Sequence, residues 1–179
     1  MYLRLGCGTD KPVSARKYRY TPQVDFSLDP RLSFAGETFS RLQLVGAQVA
    51  GRAFEKCTFE KCRMVQCSFE QCKFVDCIFA ESLLSAVSFR GCSFLETSLR
   101  DTKVIGLDWR QAARIRNLQC IDCDVSQSLF GGMKLPNLVL RNCIATEADF
   151  GEADYTDADF DGTDFDGGIF HRTNLTGAI

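Results

Sequence analysis

FEKCTFEKCRMVQCSFEQCKFVDCIF, from Phe54 to Phe79, repeats itself every five residues. One column holds Phe54, Phe59, Met64, Phe69, Phe74 and Phe79, and a second holds Cys57, Cys62, Cys67, Cys72 and Cys77. A helix repeats every 3.6 residues and a strand every 2, so neither accounts for this beat. A chain that turns a corner every five residues does, and that chain is a solenoid.

Worked outward, the apolar column runs back to Phe34 and on through Leu84, Phe89, Phe94, Leu99 and Val104 to Trp109, sixteen consecutive positions. It then slips by one residue, resuming at Ile115 and passing through Cys120, Val125, Phe130, Leu135, Leu140, Ala145, Phe150, Tyr155, Phe160, Phe165 and Phe170 to Leu175. One extra residue therefore lies between Trp109 and Ile115, in a bulge or a short helical turn. Residues twenty apart are expected to stack, giving ladders such as Phe34, Phe54, Phe74, Phe94 and Val49, Phe69, Phe89, Trp109.

These units, with AlaAspPhe at 148 to 150, AlaAspTyr at 153 to 155 and AlaAspPhe at 158 to 160, resemble the pentapeptide-repeat proteins, whose unit is A(D/N)LXX with the central Leu or Phe termed i. The resemblance covers residues 34–175. It implies an all-β fold, a right-handed quadrilateral β-helix with four pentapeptides per coil, in which i and i−2 point inward. On that basis the chain is expected to form about seven coils over residues 34–179, with residues 1–33 as an N-terminal cap segment.

Ten cysteines raise the question of disulfides or metal. Cys57, Cys62, Cys67, Cys72, Cys77 and Cys92 fall at i−2 of the first register, and Cys123 and Cys143 at i−2 of the second. A small, weakly polar, readily buried side chain suits an inner corner, so thiols as core filler are expected. Cys120 and Cys123 form the sole CxxC pair, with no second pair at zinc-ribbon spacing. No metal or other cofactor is expected.

Charge is distributed unevenly. Residues 147–179 carry nine acids and one base, net −8, and residues 1–146 carry twenty bases and fourteen acids, net +6. Glu147, Asp149, Glu152, Asp154, Asp157, Asp159, Asp161, Asp164 and Asp166 occupy one coil and should form an acidic belt around the rod. Asp157, Asp159 and Asp161 imitate the start of an EF-hand loop, but Gly168 stands where a bidentate Glu is required. Arg100, Lys103, Trp109, Arg110, Arg114 and Arg116 cluster about the register slip and are a candidate binding knob, since irregular spots on rigid scaffolds often carry function. Glu37 and Arg52 take i−2 slots, where a lone buried charge is costly, so those corners should be splayed or the two should pair.

The single histidine, His171, and the absence of phosphate-loop, nucleophile-elbow or paired-histidine motifs argue against catalysis. No apolar run is long enough to span a membrane, and the N-terminus lacks a signal-peptide core, so a cytoplasmic protein is expected. The expected role is a non-enzymatic scaffold for protein–protein interaction, its partner unidentified, with no direct binding of nucleic acid. The Phe-x-x-Cys-x-Phe runs at 54 to 59 and 69 to 74 look like those of quinolone-resistance pentapeptide proteins. That resemblance implies an alternative, a mimic of B-form DNA that binds DNA gyrase or topoisomerase IV; such a mimic should carry acids in rows along its axis. A homodimer through the C-terminal coils is expected from the exposed apolar end after Leu175.

Overall fold

Each five-residue unit resolves into a short extended side and a corner, and parallel pairing joins units one coil apart. The computed structural model describes Phe26 and residues 29–179. Phe34 pairs with Phe54, Phe54 with Phe74, Phe59 with Phe79 and Leu44 with Met64. The result is a right-handed parallel β-solenoid.

Four faces follow. The first stacks Ser33–Ala35, Ala53–Glu55, Lys73–Val75, Ser93–Leu95 and Arg114–Arg116. The second stacks six strands from Thr38–Ser40 to Val139–Arg141, the third Gln43–Val45, Arg63–Val65 and Leu83–Ser85, and the fourth Gln48–Ala50 and Ser68–Glu70. Full strands thus persist for about five turns. Beyond them isolated parallel bridges continue the rungs, as in Lys134 to Asp154 to Asn174, which separates the strand-built turns from the roughly seven coils that the beat implies.

Corners fall at i+2, where residues with side chains adopt positive φ, 52° at Lys56 and 52° at Gln71. This left-handed backbone costs such residues about 1 kcal/mol or more. The same residues donate to the next coil, Lys56 N–H to Val75 O at 2.9 Å and Gln71 N–H to Arg90 O at 2.9 Å, so the ladder offsets the strain.

Inside, the predicted ladders form. Phe34, Phe54, Phe74 and Phe94 stack at 5.1, 5.1 and 5.0 Å with nearly parallel rings. Phe69, Phe89, Trp109, Phe130, Phe150 and Phe170 make a longer column. Because its rings continue through Trp109 to Phe130 at 5.7 Å, the core crosses the register slip unbroken.

Position i−2 does more than fill space. Cys57 Sγ donates to Phe34 O at 3.5 Å, Cys62 Sγ to Phe39 O at 3.1 Å and Cys77 Sγ to Phe54 O at 3.4 Å. Ser82 and Thr102 make the same bond, to Phe59 O at 3.2 Å and Phe79 O at 3.2 Å. The slot therefore suits a small side chain that can also donate to the carbonyl of the coil before, which is why Cys, Ser and Thr alternate there. All nine cysteines from Cys57 to Cys143 are free and buried.

Burial pushes the Cys62 and Cys77 thiols up to about 11. A thiol that titrates so far above its usual range leaves about a hundredfold less thiolate near neutrality. Site-resolved alkylation at mildly alkaline pH should therefore modify Cys62 and Cys77 at least about a hundredfold more slowly in the native protein than in denaturant. Comparable rates would show that these corners open readily.

At the N-terminal end the charged i−2 residues do not pair with each other. Arg52 donates to Phe26 O at 2.9 Å, Arg31 O at 2.9 Å and Asp29 O at 3.2 Å, and Glu37 pairs with Arg31 at 2.8 Å. Arg52 thus replaces lost ladder donors for the lead-in chain. Phe26 sits edge-on against Phe34, Phe39 and Phe54, each at 5.6 Å, and covers the first coil. The rest of the expected cap, residues 1–25, 27 and 28, lies outside the described residues.

Candidate interaction surfaces

The extra residue at the register slip is absorbed in a 3-10 turn, Trp109–Gln111. Asp108 caps it, accepting from Arg110 N–H at 3.2 Å and from the Arg110 guanidinium at 2.7 Å. Those hydrogen bonds hold the Asp108 carboxyl below its ordinary value. Ser88 ties the turn down by donating to Gln111 at 2.7 Å. Nothing projects as a knob.

Trp109, a candidate for partner binding in the sequence, is 1% exposed and belongs to the core column. It is not available to a partner. The apolar beat outweighs the charged neighbourhood because the indole has an interior slot at i and its neighbours do not. The remaining cations are brought to different faces: Arg114 and Arg116 to the first, Arg100 to the second, Lys103 to the third and Arg110 to the corner after the fourth. Arg116 lies 3.6 Å from Glu96. The basic residues encircle the rod and do not form one patch.

One irregularity escaped the sequence reading. On the first face the rung at Ile115 makes no bridge to the rung at Leu135, although the second face pairs Cys120 with Leu140 across the same interval. Pro136 has no N–H to give the ladder. A cleft of about 220 Å³ opens between 115–118 and 135–138. A proline in an outward slot after an inserted residue was the available signal.

The acidic coil is a belt, as the numbering requires. Along the axis Asp149 stands between Leu129 and Ile169, Asp154 between Lys134 and Asn174, and Asp159 and Asp164 follow Val139 and Ile144. No acid there has an acidic neighbour one rung away. Four of the nine also shape their own corners, since Asp149, Asp154, Asp159 and Asp164 accept the N–H two residues on, at 2.9, 3.1, 3.1 and 3.0 Å. That bond closes a tight turn and diverts the N–H from the ladder. The Thr156 hydroxyl and N–H hold Asp154 below the usual carboxylate value, and the Asp161 N–H and then Arg141 do so for Asp159. Glu147, Glu152, Asp157, Asp161 and Asp166 complete the belt, Glu152 lying 3.3 Å from His171.

Among the described residues no group of three or more His, Cys, Asp or Glu side chains is placed to hold a metal, and no helix is long and apolar enough to cross a membrane.

Comparison with known proteins bears on this geometry. The family model for pentapeptide repeats matches residues 54–91 and 146–179 in eight copies. No curated protein matches the sequence. Among solved structures, trypsin-treated QnrB1, a plasmid-mediated fluoroquinolone resistance protein, is 21% identical, with 82% of this chain and 83% of that chain covered and a TM-score of 0.51. HetL, a pentapeptide-repeat protein involved in heterocyst differentiation regulation in Nostoc sp. strain PCC 7120, is 14% identical over 82% and 86% of the two chains, with a TM-score of 0.44. Matched repeats, five-residue corners, inward i and i−2 columns and a right-handed coil agree: over the matched residues the chain is similar to pentapeptide repeats, and it has their right-handed β-solenoid fold.

Proposed function

We propose that this chain is a rigid, non-enzymatic scaffold whose outer faces bind another protein. The observation that carries the reading is the continuous ring column from Phe69 to Phe170, which fills the interior and leaves the variable side chains on convex, ladder-braced faces. Catalysis needs convergent groups in a sheltered concavity. Here the carboxylates diverge around the rod, and binding is what a rigid array of outward side chains can do.

The alternative, a DNA-mimicking inhibitor of gyrase or topoisomerase IV that protects against quinolones, draws on the resemblance to quinolone-resistance members and on the fold shared with QnrB1. Weighing against it, the acids form a belt around one coil and not rows along the axis. A gyrase supercoiling assay with increasing protein, with and without a fluoroquinolone, separates the two. We expect supercoiling and drug sensitivity to be unchanged at micromolar protein. Inhibition or drug protection would replace the scaffold reading with the mimic. For the scaffold itself, a partner cross-linked in producing cells should be released by charge reversal at outward positions while thermal unfolding stays unchanged. Release that always accompanies loss of folding would sink it.

A further inference from the structure

The four faces differ in what they present. On the third, between the rungs of Leu44 and Val104, the outward residues before and after each i are Gln43 and Val45, Arg63 and Val65, Leu83 and Ser85, Lys103 and Ile105. Carboxylates are absent from these four rungs, whereas the same rungs of the first face carry Glu55, Asp76 and Glu96 and those of the second carry Glu60, Glu81 and Asp101. Val45 is 67% and Ile105 37% exposed, and Val65 and Leu83 are half-buried. An apolar strip therefore runs along the axis, flanked by two cations that make no ion pair among the described residues. Charge depletion around exposed aliphatic side chains is the composition of an interface centre.

We propose that this face is the docking surface of the scaffold and that its occupant is an acidic amphipathic helix of a partner protein. The inference rests on the scaffold reading and names its surface and partner.

Three observations select the helix. First, the ladder groups of this face are already spent between rungs: Gly46 N–H on Val65 O at 2.9 Å, Leu84 N–H on Lys103 O at 2.8 Å and Val104 N–H on Asp124 O at 2.7 Å. A partner strand finds nothing to pair with, so the contact is made by side chains. Second, rungs lie about 4.8 Å apart, close to the 5–6 Å between successive i, i+3 or i+4 side chains of a helix. A helix laid along the axis thus meets one rung per turn, and four rungs accommodate about ten residues. Third, Arg63 and Lys103 stand two rungs apart, about 10 Å, the distance between helical positions i and i+7. Two carboxylates at that spacing would face both.

A second copy fits poorly. Two of these faces opposed about a two-fold axis at the Leu84 rung would set Arg63 against Lys103 twice, like charge against like.

The test uses the full chain and a synthetic helical peptide with leucines at i, i+4, i+7 and i+11 flanked by glutamates, followed by NMR titration. Saturable shifts confined to the third face, at Val45, Val65, Leu83 and Ile105, are expected, with micromolar to sub-millimolar affinity for so small an area. Val45→Glu together with Ile105→Glu should weaken binding at least about tenfold, and replacing the peptide glutamates by lysines should do the same. These positions are exposed, so unfolding temperature serves as the control. No saturable binding overturns the proposal while leaving the scaffold reading to the partner experiment above. Binding that maps to another face overturns this surface and supports the scaffold. Self-association abolished by Ile105→Glu would make a second copy the occupant and overturn the helix.

Discussion

Phe74→Ala will destabilise the solenoid by about 3–5 kcal/mol, the range for truncating a fully buried aromatic. Phe74 is 1% exposed and sandwiched between Phe54 at 5.1 Å and Phe94 at 5.0 Å. Its edge or tilted partners are Phe59, Phe69, Phe79 and Phe89. Losing the ring removes contacts on every side of one coil, and the ladder bonds above and below keep the walls from collapsing into the void. Such a loss exceeds half the total stability of many domains. Equilibrium denaturation followed by circular dichroism should show a lower midpoint or a separate early transition, because stacked coils depend on their immediate neighbours. Phe74→Leu should cost far less. A cost below about 1 kcal/mol for the alanine variant would mean that the stacks are not what holds the coils together.

Trp109 separates a structural role from a binding role. Trp109→Ala should cost a similar 3–5 kcal/mol, because the ring links Phe89 to Phe130 across the register slip. Trp109→Phe should stay within about 1 kcal/mol of the parent. The indole N–H is buried without a partner, and removing it relieves a penalty of about 1–3 kcal/mol that offsets the lost apolar area. The chain has one tryptophan, so its emission reports this site directly: it should be blue-shifted and slow to quench with acrylamide in the native state. Red-shifted, readily quenched emission would return Trp109 to the surface.

Much of the fold was legible because the period itself was unusual. Phe54 to Phe79 fixes a five-residue corner, and counting by twenty assigns Phe34, Phe54, Phe74 and Phe94 to one ladder without any coordinates. The slip between Trp109 and Ile115 was legible for the same reason. Its form was not, because a bulge and a 3-10 turn both absorb one residue, and the choice fell to Asp108, which caps the turn and holds Arg110. Arg52 likewise depended on where the lead-in chain placed the carbonyls of Phe26 and Asp29.

The surface was harder to read. Charges adjacent in sequence, from Arg100 to Arg116, suggested one basic patch, but successive pentapeptides face four directions and the coil scatters them. Conversely, Val45, Val65 and Ile105 are far apart in the chain and come onto one face only when coils stack, Val45 beside Val65 and Ile105 two rungs beyond, past Ser85. The sequence alone determined the inward columns, since burial imposes a strict period on apolar residues. The tertiary structure decided the outward pattern, because solvent imposes no period and only the pairing of coils says which exposed side chains meet.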